Sequence, residues 1–290
     1  MVHTEMSWRA EDGAELFAQV WEPRDEARGV VCLVHGLGEH SGRYAHVAQA
    51  FTAAGYALVT FDLRGHGKSG GKRGDVPDFE AFMDDIDLLI RTGQERCPGK
   101  PCFLYGHSMG GLLVLNYGVR RKPALNGIIA TASGLRTPLS DQKAKIWLST
   151  SLAGILPTVS LPTGLDATQI SRDQAVVDAY TSDPLVHDRT TFRMARGTLN
   201  SIPWVFDHAH EIETPLLLMH GTADQITYAR GTQEFASRVT CDCQVRIWDG
   251  LKHELHNEPE KEAVIRTMIE WMDAHCPEPA PPEATVQKTV

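Results

Sequence analysis

The chain has 290 residues, 42% of them apolar, and a formal net charge of -9. That length and apolar content support one large core, and acidic residues that are not gathered in a tail argue against nucleic-acid or polyanionic partners. Met1 to Ala10 holds no signal-peptide core, no stretch approaches the ~18 uncharged apolar residues of a membrane span, and six scattered cysteines without a C-x-x-C pair read as reduced thiols, so a cytoplasmic protein is expected.

In chain order, apolar runs predict strands over 16–22, 30–34, 57–61, 102–106, 127–131, 215–219 and 244–248. Helical patterns fall between and after them, over 44–54, 78–96, 109–121, 227–238 and 259–274. Strands that alternate with helices imply crossover connections, and hence an α/β fold with a mainly parallel central sheet flanked by helices. The alternation breaks from Leu135 to Ile212, a segment of helical character without a convincing strand, far longer than the ~25 residues that a βα repeat needs. It reads as an inserted helical cap, which divides the chain into core (1–134), cap (135–212), core (213–276) and a disordered proline-rich tail (277–290). The first part of the cap, around Ile146-Trp147-Leu148, Leu152 to Leu156 and Val159 to Leu161, is unusually apolar. It suits either a helix packed on the core or a lid that lines an acyl pocket and touches a lipid surface transiently.

Gly106-His107-Ser108-Met109-Gly110 lies between the run Cys102 to Tyr105 and the helical run Leu112 to Leu115. A G-x-S-x-G turn from strand to helix holds its serine strained and exposed, with glycines keeping side chains out of the bend. The α/β-hydrolase fold requires an acid and then a histidine later in the chain. Asp224 follows the strand that ends at Met219, and His253 follows the strand that ends at Trp248, so all three lie where open parallel sheets build their sites. His256 as the base, and Asp249 or Asp242 as the acid, are alternatives. Oxyanion donors are expected at Met109 N–H, just after the nucleophile, and at Leu37 N–H in the loop His35-Gly36-Leu37-Gly38. His253-Glu254-Leu255-His256 lacks the i, i+4 spacing of the helical zinc motif, and Gly67-Lys68-Ser69 lacks the first glycine of a P-loop, so no metal or cofactor is called for.

The stretch His35-Gly36-Leu37-Gly38-Glu39-His40-Ser41-Gly42-Arg43-Tyr44, with Asp62 to Ser69, Gly106 to Gly111, Tyr180 to Leu185 and His253 to Glu258, resembles the monoacylglycerol lipase family of serine hydrolases over almost the whole chain. The resemblance implies the same triad of Ser108, Asp224 and His253, with Leu37 and Met109 as oxyanion donors. It also implies that Glu39, Arg43, Tyr180 and His256 lie at a narrow polar end that receives glycerol. For Glu39 and Arg43 an ion pair bracing the loop is the alternative, and His40 reads as structural. The implied activity is hydrolysis of monoacylglycerols. The same triad would serve a lysophospholipase or general carboxylesterase, and the acidic residues between 166 and 188 leave open a peptidase that binds a free amine.

Overall fold

Alternate residues of each central strand face opposite ways, and here both faces are apolar because both are covered. In β3 (Gly29–Val34), Val30, Cys32 and Val34 point into one core while Val31 and Leu33 point into the other. The same division holds for β4 (Tyr56–Phe61), β5 (Cys102–His107), β6 (Gly127–Thr131) and β9 (Leu216–Gly221). The first core is closed by α2 (Glu80–Arg96), α3 (Met109–Arg121), α5 (Phe192–Asp207) and α6 (Ala229–Ala236). The second is closed by α1 (Ala45–Ala53) and α7 (Lys261–Ala274), whose Val264, Met268 and Met272 are fully buried.

The computed structural model describes residues 1–140, 142 and 151–276, so Ile146, Trp147, Leu148 and the tail from 277 lie outside the described residues. Its main sheet has eight strands in the order β1-β2-β4-β3-β5-β6-β9-β10, with β1 (Val2–Arg9), β2 (Glu15–Glu22) and β10 (Cys243–Trp248) completing it. β2 runs antiparallel to both β1 and β4, and the other pairings are parallel. This is the α/β-hydrolase fold. The parallel strands therefore carry the loops that follow β3, β5, β9 and β10 to one edge of the sheet.

Two features depart from the sequence expectation. β1 was not anticipated, because its inward positions Thr4, Met6 and Trp8 are only partly covered and alternate with exposed Glu5, Ser7 and Arg9. Pairing with β2 and the contact of Trp8 with Phe61 hold it as an edge strand. The segment between β6 and β9, expected to lack strands, contains a two-stranded antiparallel ribbon, β7 (Ser160–Pro162) with β8 (Arg189–Thr191). Three residues per strand leave no periodicity to read. α4 (Gln174–Ser182), capped by the Asp173 side chain on Ala175 N–H, lies between them.

Candidate active site

Ser108 sits at the tip of the β5–α3 turn with φ 56° and ψ -117°, a left-handed conformation that a residue with a side chain adopts only under local constraint. The constraint is packing. A Cβ on Gly110 would stand 2.1 Å from the Val34 carbonyl oxygen, so α3 can start this close to β3 only with glycine there. The Ser108 amide donates to the Thr131 carbonyl at 2.9 Å, and its own carbonyl accepts from Gly134 and Leu112. The bend is fastened from both neighbouring elements, and the side chain is left partly exposed.

The loops after β9 and β10 bring Asp224 and His253 to it. His253 Nε2 lies 2.9 Å from Ser108 Oγ, and His253 Nδ1 lies 2.8 Å from Asp224 Oδ2. A carboxylate only accepts, so Nδ1 carries the hydrogen and Nε2 accepts from the serine hydroxyl. Burial disfavours a charged His253 ring, but the Asp224 carboxylate outweighs it and raises the basicity above the ordinary imidazole value. Burial would likewise raise Asp224, yet His253 and hydrogen bonds from His220 and His253 hold it far below the usual carboxylate range. The neighbouring His107 ring, 4.8 Å from His253 between centroids, is pushed down to about 4 by burial and by repulsion from His253. His253 is thus set apart from its neighbour as the stronger base.

The loop after β3 closes the other side. A Cβ on Gly36 would come within 3.1 Å of Ser108 Cβ, which shows how near this backbone passes to the serine. The amides of Leu37 and Met109 donate to no backbone or side-chain acceptor among the described residues. Glu39 organises the loop: Oε1 accepts from Gly36 N–H at 2.7 Å and from the Tyr44 hydroxyl at 2.8 Å, and Oε2 accepts from Arg43 at 2.8 Å. Arg43 also forks onto Glu254 at 2.6 and 2.7 Å and stacks over the Tyr180 ring at 4.7 Å. Burial would raise the Glu39 carboxyl, but Arg43, then His107 and His35, hold it at about 2.

A sequence model of the family described as serine aminopeptidase, S33, matches residues 25–260. The chain belongs to this family. A monoacylglycerol lipase of Mycolicibacterium smegmatis is 34% identical over 274 residues, covering 94% of this chain and 98% of that one. An uncharacterized abhydrolase domain-containing protein of Dictyostelium discoideum is 37% identical over 90% of this chain, which spans only 28% of that protein's length. The crystal structure of Paleococcus ferrophilus monoacylglycerol lipase matches with a TM-score of 0.83 at 35% identity, covering 90% of this chain and 99% of that one. The S33 chain is a monoacylglycerol lipase-like α/β hydrolase, a serine hydrolase of the carboxylic-ester type.

Of the residues singled out from this S33 sequence, Ser108, Asp224 and His253 form one hydrogen-bonded row, and Glu39, Arg43 and Tyr180 form one polar cluster beside it. His256 stands apart: it is fully buried, stacked on Tyr44 at 4.7 Å, and neither ring nitrogen has a hydrogen-bond partner. Burial and the nearby His107 and His46 push it well below the ordinary histidine range. Asp242 lies against His275 and Asp249 against Thr222, away from His253. His40 bonds Asp183 of the inserted segment at 2.9 Å.

Glu254, His220 and Thr227 escaped sequence reasoning. Glu254 adjoins His253 in the chain, but its partner Arg43 is 211 residues away, a pairing no local pattern reveals. A cleft of about 410 Å³ opens between Leu37, Tyr180 and the segment from Val186 to Arg189. A larger one of 550 Å³, bounded by Arg9, Asp84 and Tyr117, shares no residue with this site. Among the described residues no group of three or more His, Cys, Asp or Glu side chains is placed to hold a metal ion.

Proposed function

We propose that this S33 hydrolase cleaves the ester of monoacylglycerols to glycerol and a free fatty acid. The reading rests above all on the row from Asp224 through His253 to Ser108 Oγ, flanked by the small charged cluster of Arg43, Glu39 and Tyr180. His253 Nε2 takes the proton from Ser108 Oγ as the oxygen attacks the ester carbonyl, and the resulting oxyanion rests on the amides of Leu37 and Met109. Nε2 returns the proton to the departing glycerol oxygen. A water then gives its proton to the same nitrogen and attacks the acyl carbon, and Nε2 passes that proton to Ser108 Oγ as the acyl–oxygen bond breaks and the fatty acid leaves. No cofactor enters these steps.

Residues 135–212 act as a cap whose outer apolar residues Ile155, Leu156 and Val159, 77%, 45% and 41% exposed, suit contact with a lipid surface. Glycerol would sit against Arg43 and Tyr180, while the fully buried His256, stacked on Tyr44, offers it no ring nitrogen. Acyl preference is broad, since one methylene contributes only ~0.8 kcal/mol of burial.

An aminopeptidase reading would need a carboxylate free to bind the substrate's amine. Between 166 and 188, Asp166, Asp173, Asp178, Asp183 and Asp188 are each engaged by a neighbour. Glu39 and Glu254 share Arg43. An ester therefore suits the pocket better.

The decisive experiment compares monooleoylglycerol, dioleoylglycerol, lysophosphatidylcholine and a short soluble ester as substrates of the purified chain and of Ser108→Ala. Fast turnover of the monoglyceride alone, lost by about 10⁴-fold or more in the variant, is expected. Preference for the lysophospholipid or the short ester would replace the proposal with a lysophospholipase or general carboxylesterase.

A further inference from the structure

His220 is the fifth residue of β9, four residues before Asp224, and is completely buried. Its Nε2 lies 3.1 Å from Asp224 Oδ2 and 3.2 Å from the Thr227 carbonyl oxygen. Both atoms only accept, so Nε2 carries a hydrogen. On the other side of the ring, Nδ1 lies 2.7 Å from the Thr232 hydroxyl of α6, the donor that a neutral ring protonated on Nε2 requires. Asp224 Oδ2 therefore accepts from His253 at 2.8 Å and has a second imidazole nitrogen, His220 Nε2, 3.1 Å away, with the hydrogen of that nitrogen on the Thr227 carbonyl. Its other oxygen takes the amides of Ile226 and Thr227 at 2.8 and 3.0 Å. The Thr227 hydroxyl lies 2.9 Å from both Oδ2 and the Ala132 carbonyl, and its single hydrogen serves one of them at a time.

A serine–histidine–aspartate row needs one imidazole on the acid, and this site has two. We propose that His220 is a positioning residue that holds Asp224 in line with His253 and moderates the basicity of His253 through the shared carboxylate oxygen. The His220 Nε2–H dipole, bonded to the Thr227 carbonyl with its nitrogen 3.1 Å from Oδ2, draws off part of the effect of the negative charge that would otherwise stabilise the protonated base, and the same bond fixes the Thr227 backbone whose amide holds the other carboxylate oxygen. His220 reaches no substrate, because Thr227 and Asp224 lie between it and His253. A leucine would fill the same space without donating. The inference rests on the triad reading above.

The groups that face His253 are Asp224, Ser108, His107, His256 and the carboxylates Glu39 and Glu254. Those that face His220 are Asp224, Thr227 and Thr232. His107 and His256 stay neutral over the range in which the base titrates, so a shift in the acid limb of the rate reports on His253.

The experiment measures monooleoylglycerol hydrolysis from pH 5 to 9 for wild type, His220→Leu, His220→Gln and Thr232→Val, with thermal unfolding and fluorophosphonate labelling of Ser108 alongside. In His220→Leu, kcat falls about tenfold with KM within about twofold, as expected for a misaligned base. The acid limb of kcat/KM moves up by about half a pH unit, because Asp224 keeps more charge for His253. His220→Gln, whose amide can still donate to the Thr227 carbonyl beside Oδ2, recovers most of the rate. Thr232→Val, which removes the donor to Nδ1, moves the limb the same way by less. Wild-type kcat and an unmoved limb in His220→Leu, or equal losses in the leucine and glutamine variants, would overturn the proposal. Should His220→Leu not fold, an unmoved limb in Thr232→Val decides against it. Wild-type protein that leaves Ser108 unlabelled would overturn the triad reading, and this inference with it.

Discussion

The elbow that carries Ser108 and the inserted segment that roofs it are held by different physics. The elbow is fixed by exclusion, with the backbones of α3 and β3 so close that Gly110 has no room for a methyl group and Ser108 is held at a positive φ. The roof is fixed by polar bonds to the loops beneath it. Ile170 accepts the Glu254 amide at 2.7 Å, Ser171 donates to the Asn257 carbonyl at 3.0 Å, and Arg172 donates to the buried Glu258 at 2.7 Å. Further along, His187 N–H reaches the Gly38 carbonyl at 2.9 Å, and Thr191 and Arg193 both bond Asp75 at 2.7 Å. Steric fit tolerates no substitution at its tightest points, whereas a set of partly exposed hydrogen bonds loses strength one bond at a time. The difference separates a part of the site fixed by close packing from a part fixed by separable polar bonds.

Gly110→Ala tests the steric side most severely. A Cβ against a carbonyl oxygen cannot be relieved by side-chain movement, so a loss of about 4 kcal/mol or more is expected, seen as failure to recover folded protein. A soluble variant of wild-type melting temperature would show that the elbow is less constrained than its geometry implies. Arg43→Met tests the charged bridge between the loops after β3 and β10, since it leaves Glu39 and Glu254 buried, each 3% exposed, without their shared cation. A cost of about 3 kcal/mol in chemical denaturation is expected, with activity lost as the His35–Gly38 loop and the His253 loop come apart. Arg193→Met removes the forked pair of bonds by which the roof holds Asp75, whose partner arginine is 28% exposed at the side chain. About 1 kcal/mol and a change in KM larger than in kcat are expected; a loss in kcat alone would place this anchor with the elbow instead.

Acidity adds a second test, because the acid and base beside the elbow are both moved from their ordinary values. His253 is raised above its unfolded value, so its contribution to stability is full below about 6.5 and is lost as pH rises through its folded value. Asp224 is depressed, so its contribution is present above about 3.9 and is lost as pH falls toward its folded value. Catalysis needs His253 unprotonated, and the acid limb of kcat/KM should therefore lie above the ordinary imidazole value of about 6.5. A limb below 6 would show that burial outweighs Asp224.

The predicted helix over 109–121 coincides with α3, and the predicted strands lie within two residues of those observed at each end. Strong periodicity and the motifs after strand ends made this legible, because a two-sided buried sheet writes continuous apolar runs into the chain. β1 escaped because an edge strand with one half-covered face has weak contrast, and β7 and β8 because their pairing joins residues 160 and 191 across an intervening helix. Within the site, Ser108, Asp224 and His253 were legible from the elbow motif, chain order and their places after strand ends, with His256, Asp249 and Asp242 as alternatives. His220 and Glu254 were in plain view beside them, yet nothing local distinguishes a core histidine from one packed against the acid, or a surface glutamate from one bound to Arg43.

By itself the sequence determined the strand–helix alternation, the elbow, and the order of nucleophile, acid and base, because each is a local consequence of apolar spacing, glycine and turn chemistry. Only the tertiary structure decided that Glu39 and Arg43 are braced by Glu254, that the inserted segment is tied to the base loop at Ile170 to Arg172, and that a second imidazole stands on Asp224. Those are pairings between residues brought together by folding, and most of their strength comes from burial, which no residue possesses until the sheet and its covering segments have closed around it.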